Sequence, residues 1–170
     1  MKKLPIYTKC YLIGDINGDN LRRLHSDLDD AIASKSKAII LEITSVGGEI
    51  DAAMSMVSRI TASPVPVITL ASGVVASAAV IVFNAGCKRL IRPLTTVLIH
   101  PIRMDVEGNK GQHRAEYEQL TRDEALYAKL LANKSRLTVE QIIEFMQKET
   151  YLNVEQVITM KLADEVHNVD

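Results

Sequence analysis

Apolar residues change their spacing several times along this chain, and each change predicts a new element. Tyr11 to Ile13 is a short apolar segment closed by the turn signals Gly14-Asp15 and Asn17-Gly18. Leu21, Leu24, Leu28 and Ile32 then recur at helical spacing, with Asn20 as the candidate cap. Ala38-Ile39-Ile40-Leu41-Glu42-Ile43 is an apolar run of strand length, rich in β-branched residues, and Gly47-Gly48 separates it from a helical stretch between Ile50 and about Ile60. Pro64 and Pro66 close that helix. Val67 to Leu70 reads as the next strand, leading through Gly73 into a small-residue helix that begins near Ser77. The order β-α-β-α favours a parallel sheet with right-handed crossovers.

The most apolar stretch, Val74 to Phe83, is too short to span a bilayer and ends at Asn84 and Gly86, so it reads as a buried helix. Leu90-Ile91 and Thr96 to Ile99 flank Pro93 as short strands, the second delivering His100 to the end of an element. The polar segment Met104 to Gln112 reads as a loop or exposed hairpin. From His113 to about Lys134 a long helix carries Tyr117, Leu120, Leu126, Leu130 and Leu131, with charges on its other faces. Two shorter helices follow, one opened by Thr138 with Gln141 three residues on, the other capped by Asn153. With no repeat, low-complexity tract or linker, residues 1–170 read as one α/β domain with a helix-rich C-terminal third.

Length and composition permit a real core: 170 residues, 47% of them hydrophobic. Lys and Arg total 20 against 21 for Asp and Glu, a net charge of -1, so no global attraction to nucleic acid or anionic lipid is available. Partners of those two classes are not expected. Cys10 and Cys87 lie far apart without metal-ligand spacing, which points to a reducing cytoplasm; no metal or other cofactor is expected. Met1-Lys2-Lys3 has the charge of an export signal, but Pro5, Lys9 and Asp15 break up the next residues before an apolar stretch can form.

Three features carry candidate chemistry. Ser77, in Gly73-Val74-Val75-Ala76-Ser77-Ala78-Ala79, lies where a predicted strand gives way to a helix. Unpaired N–H groups at a helix start can stabilise an oxyanion, and small neighbours let a carbonyl approach. The alternative is a packing serine, and the pattern is not a Gly-x-Ser-x-Gly elbow. His100, at the end of Thr96-Val97-Leu98-Ile99, is either a structural histidine or a general base to a serine. Ser45-Val46-Gly47-Gly48 supplies backbone freedom and unshielded N–H groups, suited to a plain turn or to holding an oxyanion. His25, His113 and His167 read as surface residues.

Taken together, these segments resemble the ClpP family of self-compartmentalising serine peptidases, within the wider ClpP/crotonase fold of β-α-β superhelical units. Ile43 to Gly48 is similar to the family's strand followed by Asn-Ser-Pro-Gly-Gly, and Gly73 to Ala79 to its nucleophile segment. Gly86-Cys87-Lys88-Arg89 and Leu98-Ile99-His100-Pro101 resemble its glycine-Lys-Arg and histidine segments, in the same order and with similar spacing. A weaker likeness continues through the long helix to Lys161-Leu162-Ala163-Asp164-Glu165-Val166. The resemblance implies Ser77 as nucleophile, His100 as base and the backbone N–H groups of Gly48 and Ala78 as the oxyanion hole. Counting back from Leu162-Ala163-Asp164 puts Glu149 where the family carries a catalytic aspartate; Asp105 and Asp164 are the other candidates for that role.

The expected activity is therefore serine endopeptidase action on polypeptides by a homo-oligomeric ring subunit, with a AAA+ unfoldase as a further partner. The helix from about 113 to 134 is the candidate oligomerisation handle. Val46 replaces the family's proline, Pro101 follows His100 directly, and residues 104–112 hold fewer glycines than the family's ring-joining strand. Little sequence precedes Tyr11, so the long axial loop that meets an ATPase is expected to be short or absent. These departures motivate a second reading, a scaffold subunit with little proteolytic activity. A crotonase-type acyl-CoA enzyme leaves Ser77 and His100 without a duty. A Ser-Lys dyad would enlist Lys88, whose place in the turn motif gives it structural contacts instead.

Overall fold

The structure, a computed structural model, describes residues 7–103 and 109–168. The expectations for the residues preceding Tyr7, for Asp105 and for residues 104–108 of the loop expected over Met104 to Gln112 lie outside the described residues; the end of that loop is corrected, since residues 110–112 are already helical, with Asn109 as the cap. In chain order the elements are β1 (Tyr7–Ile13), α1 (Gly18–Ala33), β2 (Ala38–Ser45), α2 (Ile50–Thr61), β3 (Val67–Ala76), α3 (Ala78–Ala85), β4 (Lys88–Ile91) and β5 (Thr96–Ile99). Then come α4 (Lys110–Ala132), α5 (Val139–Gln147), β6 (Thr150–Leu152), α6 (Val154–Thr159) and β7 (Glu165–Val166).

Strands β1, β2, β3 and β4 pair in parallel in that order, and β7 extends the row beside β4. The predicted β-α-β-α order thus gives the expected parallel sheet. On its edge away from β2, strand β3 serves two neighbours: Ile68 to Ala71 pairs with β4, and Val74 to Ala76 pairs with β5. Between the two halves the strand bends at Gly73, and its register against β2 shifts between Ile43 and Ser45. The bend carries the end of β3 away from β4 towards β5 and sets where Ser77 emerges.

Three local expectations are corrected. Val74 to Phe83 is not one buried helix, because the β-branched Val74 and Val75 continue the ladder with β5 and the helix begins only at Ala78. Asn17, not Asn20, caps α1: its side chain accepts the Asn20 N–H at 2.9 Å, while the Asn20 amide donates to Asp15 O at 2.7 Å. His25 is half-buried in α1 rather than a surface residue. Strand β6, three residues long, is too short to leave a periodicity, and the sequence does not predict it.

Burial follows the sequence pattern. Helix α1 buries Leu24, Leu28 and Ala31, and α2 buries Ala52, Ala53, Met56 and Ile60, one face each. Helix α3 is buried at every residue, the reason its sequence is apolar all round. Helix α4 packs only through its C-terminal part, where Tyr127, Ala128 and Leu131 are buried; Tyr117 is 70% exposed. The capping boxes at Thr138 and Asn153 form, each with the glutamine three residues on.

The C-terminal segment is locked to the sheet by a mostly buried ion pair. Arg89 donates from Nε and Nη2 to the two carboxylate oxygens of Asp164 at 3.1 and 2.9 Å, and its backbone N–H adds a third bond at 2.8 Å. The remaining guanidinium nitrogen reaches Asn84 Oδ1 and Lys134 O. Burial alone would raise the Asp164 carboxyl, but the bonds from Arg89 and Lys161 more than reverse this and hold it well below the usual carboxylate range. A carboxyl whose pKa is depressed on folding contributes stability above its unfolded value of about 4 and loses it as pH falls towards the folded value. Replacing Asp164 by Asn should therefore cost about 3 kcal/mol at neutral pH in urea denaturation, by leaving Arg89 unpaired. The gap between wild type and variant should shrink as pH falls below about 4.

Candidate active site

Ser77 joins β3 to α3 with φ +55° and ψ −130°. These are the angles of the first central residue of a type II′ turn, a place glycine normally takes. A serine there stores about 1–3 kcal/mol of strain and must be held by its surroundings. Its N–H donates to Leu98 O at 2.9 Å, and its carbonyl accepts from Val80 N–H at 3.0 Å and from the Tyr127 hydroxyl at 3.2 Å. Gly47 packs directly on the turn: a Cβ there would lie 2.6 Å from Ser77 Cβ and 2.9 Å from Ala76 O.

Gly48 pairs with Ile16 as an isolated parallel bridge. The bridge uses the groups that flank Gly48: Ile16 N–H donates to Gly47 O and Glu49 N–H donates to Ile16 O, both at 2.8 Å. Gly48's own N–H therefore points away from Ile16 and has no acceptor among the described residues. A side chain at Gly48 would collide with the Ile16 backbone, so the close bridge requires glycine. The N–H of Ala78, the first residue of α3, also has no acceptor among the described residues, because first-turn amides have no intrahelical acceptor and the Ser77 side chain makes no capping bond.

His100 follows β5, half-buried. Its Nδ1 lies 2.6 Å from Pro101 O. A carbonyl can only accept, so Nδ1–H is the donor and the neutral ring keeps its lone pair on Nε2. Gly48, Ser77, Ala78 and His100 line one cleft of about 320 Å³, with Ile50, Ile102 and Tyr127 giving it apolar walls.

Glu149 is not among the residues lining that cleft. Its backbone has φ +49°, and its carboxylate, about half exposed, accepts from Arg103 Nη2 at 2.9 Å. The backbone itself is close by. Thr150 pairs with Ile99 in the antiparallel β5–β6 ladder, so the next step outward sets Glu149 against His100. Asp164 is committed to Arg89, and Lys88 to Glu165 at 2.6 Å, so neither serves the cleft. Tyr127 and Arg103 also line the cleft, and the sequence does not single them out. The spacing of Leu120, Tyr127 and Leu131 marks Tyr127 as inward-facing, but nothing local points it at Ser77.

Among the described residues no three His, Cys, Asp or Glu side chains gather as a metal site, and no helix is long and apolar enough to cross a membrane. Both cysteines are free thiols.

Comparison with known proteins gives a consistent picture. A family model described as Clp protease matches residues 12–170. The ATP-dependent Clp protease proteolytic subunit 2 of Corynebacterium efficiens is 27% identical, the match covering 90% of this chain and 86% of that protein. The ATP-dependent Clp protease proteolytic subunit 1 of Streptomyces coelicolor is 26% identical over 88% of this chain and 74% of its own length. The fold is similar to that of a ClpP1 mutant from Listeria monocytogenes, with a TM-score of 0.84 over 95% of this chain and 91% of the other, at 22% identity.

The packing at Ser77 makes a stability prediction. Gly47→Ala, which must place a side chain at φ +99° against Ser77 and Ala76, should destabilise the fold by about 2 kcal/mol or more. Gly18→Ala, at the open start of α1, should be close to neutral. Thermal unfolding of the two variants side by side checks the contrast.

Proposed function

The chain belongs to the Clp protease family, and on that premise we propose that it is a serine endopeptidase whose working groups are Ser77, His100 and the N–H groups of Gly48 and Ala78. One observation carries this reading: a serine in a strained strand-to-helix turn shares a cleft with an imidazole and two backbone N–H groups that have no acceptor among the described residues. In this mechanism Ser77 Oγ attacks the peptide carbonyl carbon while its proton passes to His100 Nε2. The oxyanion of the tetrahedral intermediate accepts from Gly48 and Ala78 N–H. His100 then gives the proton to the departing amine, and water, deprotonated by His100, releases the acyl group from Ser77.

Glu149 is the third member of the proposed set. Its carboxylate needs only to turn from Arg103 towards His100 Nδ1, where it would replace the Pro101 carbonyl and stabilise the imidazolium through a full charge. The Arg103–Glu149 pair favours a second reading, a subunit of low activity in which this exchange does not occur. The relatives are named as proteolytic subunits of ATP-dependent Clp proteases, and this chain likewise is proposed to form a homo-oligomeric ring fed by an ATPase of that class. The exposed first turns of α4, with Tyr117 uncovered, support that helix as the subunit contact. The whole of residues 1–170 is taken as one peptidase domain, placed in the cytoplasm.

A fluorophosphonate probe should label the wild type at Ser77 and leave Ser77→Ala unlabelled, with native mass spectrometry reporting the assembly; a folded, assembled wild type that does not react would overturn the peptidase reading. Arg103→Gln should speed labelling severalfold, and Glu149→Gln in the same chain should abolish the gain. Equal rates in wild type and Arg103→Gln would remove Glu149 from the proposed set.

A further inference from the structure

We infer that Tyr127 is a positioning residue for the oxyanion: its hydroxyl, donating to Ser77 O, fixes the peptide group that carries the Ala78 N–H. This deepens the peptidase reading above and rests on it. The carbonyl of Ser77 and the N–H of Ala78 belong to one planar trans unit, in which the N–H points opposite to the C=O. Whatever holds the oxygen therefore aims the amide. Two donors hold it. Val80 N–H belongs to α3 itself and moves with the helix, whereas Tyr127 stands on α4 and fixes the peptide from a separate element.

The tyrosine is built for this contact. It is 2% exposed, and a buried hydroxyl requires a partner. Ser77 O is that partner, at 3.2 Å, and no other is present among the described residues. Burial raises the phenol far above its ordinary range, so it stays a neutral donor wherever His100 can act as a base. Donation into the carbonyl also polarises the peptide and strengthens its N–H as a donor. The turn at Ser77 is strained, so without an outside anchor its peptide has a lower-energy orientation to relax towards.

Tyr127→Phe keeps the ring and its packing and removes only the hydroxyl. For a fluorophosphonate, whose P=O must enter the oxyanion site, the maximal labelling rate should fall about tenfold with the half-saturating concentration unchanged. Casein turnover should fall by the same factor. A residue that merely fills space would instead alter the half-saturating concentration, or leave Tyr127→Phe at wild-type rates. Either result, with a labelled wild type, overturns the role of Tyr127 alone. A wild type unlabelled at Ser77 overturns the peptidase reading beneath it.

Discussion

Ser77 occupies a backbone conformation that a residue with a side chain avoids, and the groups around it oppose its relaxation from several directions. The bond from its N–H to Leu98 O ties the end of β3 to β5, the strand that delivers His100. Gly47 presses on it from the β2–α2 turn, and Tyr127 reaches its carbonyl from α4. Segments distant in sequence thus converge on one peptide. The bend at Gly73 makes this convergence possible, because it takes the last residues of β3 out of register with β4 and into pairing with β5.

Helix α3 connects this turn to the rest of the protein. Its N-terminal end, with unpaired N–H groups and partial positive charge, faces the cleft. Its C-terminal end is met by cationic groups: Lys134 Nζ donates to the carbonyls of Ala85 and Gly86, and Arg89 reaches Asn84. Burial, and then the neighbouring Arg89, lower the pKa of Lys134, whose Nζ sits at the carbonyl end of the helix dipole. Because Arg89 also holds Asp164, the C-terminal segment, the last turn of α3 and the end of α4 form one polar cluster. The arrangement leaves α3 little room to shift, which matters for the proposed site, whose donors are backbone atoms.

In the proposed set, the electrostatics of His100 differ from those of a complete Ser-His-carboxylate triad. A main-chain carbonyl fixes the tautomer but offers only a dipole to an imidazolium, whereas a carboxylate offers a full charge. Glu149, whose backbone lies opposite His100 one step beyond the Ile99–Thr150 pair, is the carboxylate proposed for that place, and it is bound to an arginine instead. That ion pair is largely exposed, and exposed pairs are worth at most about 1 kcal/mol, so it can be exchanged at small cost.

Much of this architecture comes from local patterns. The β-branched run before Gly47-Gly48, the prolines after α2, and the glutamines three residues after Thr138 and Asn153 predict elements that form as expected, because periodicity and capping depend on near neighbours. Ser77, His100, Gly48 and Ala78 stand out as candidates because each lies near the end of a recognisable element, while their proposed roles come from the family resemblance. Relations between segments far apart are not determined in this way. Val74 and Val75 join a strand because β5 offers them a partner, Tyr127 faces Ser77 because α4 crosses behind α3, and Glu149 binds Arg103 because β6 folds back along β5. Each of these depends on through-space pairing, and one-dimensional spacing carries no information about which distant residue supplies the other half of a bond.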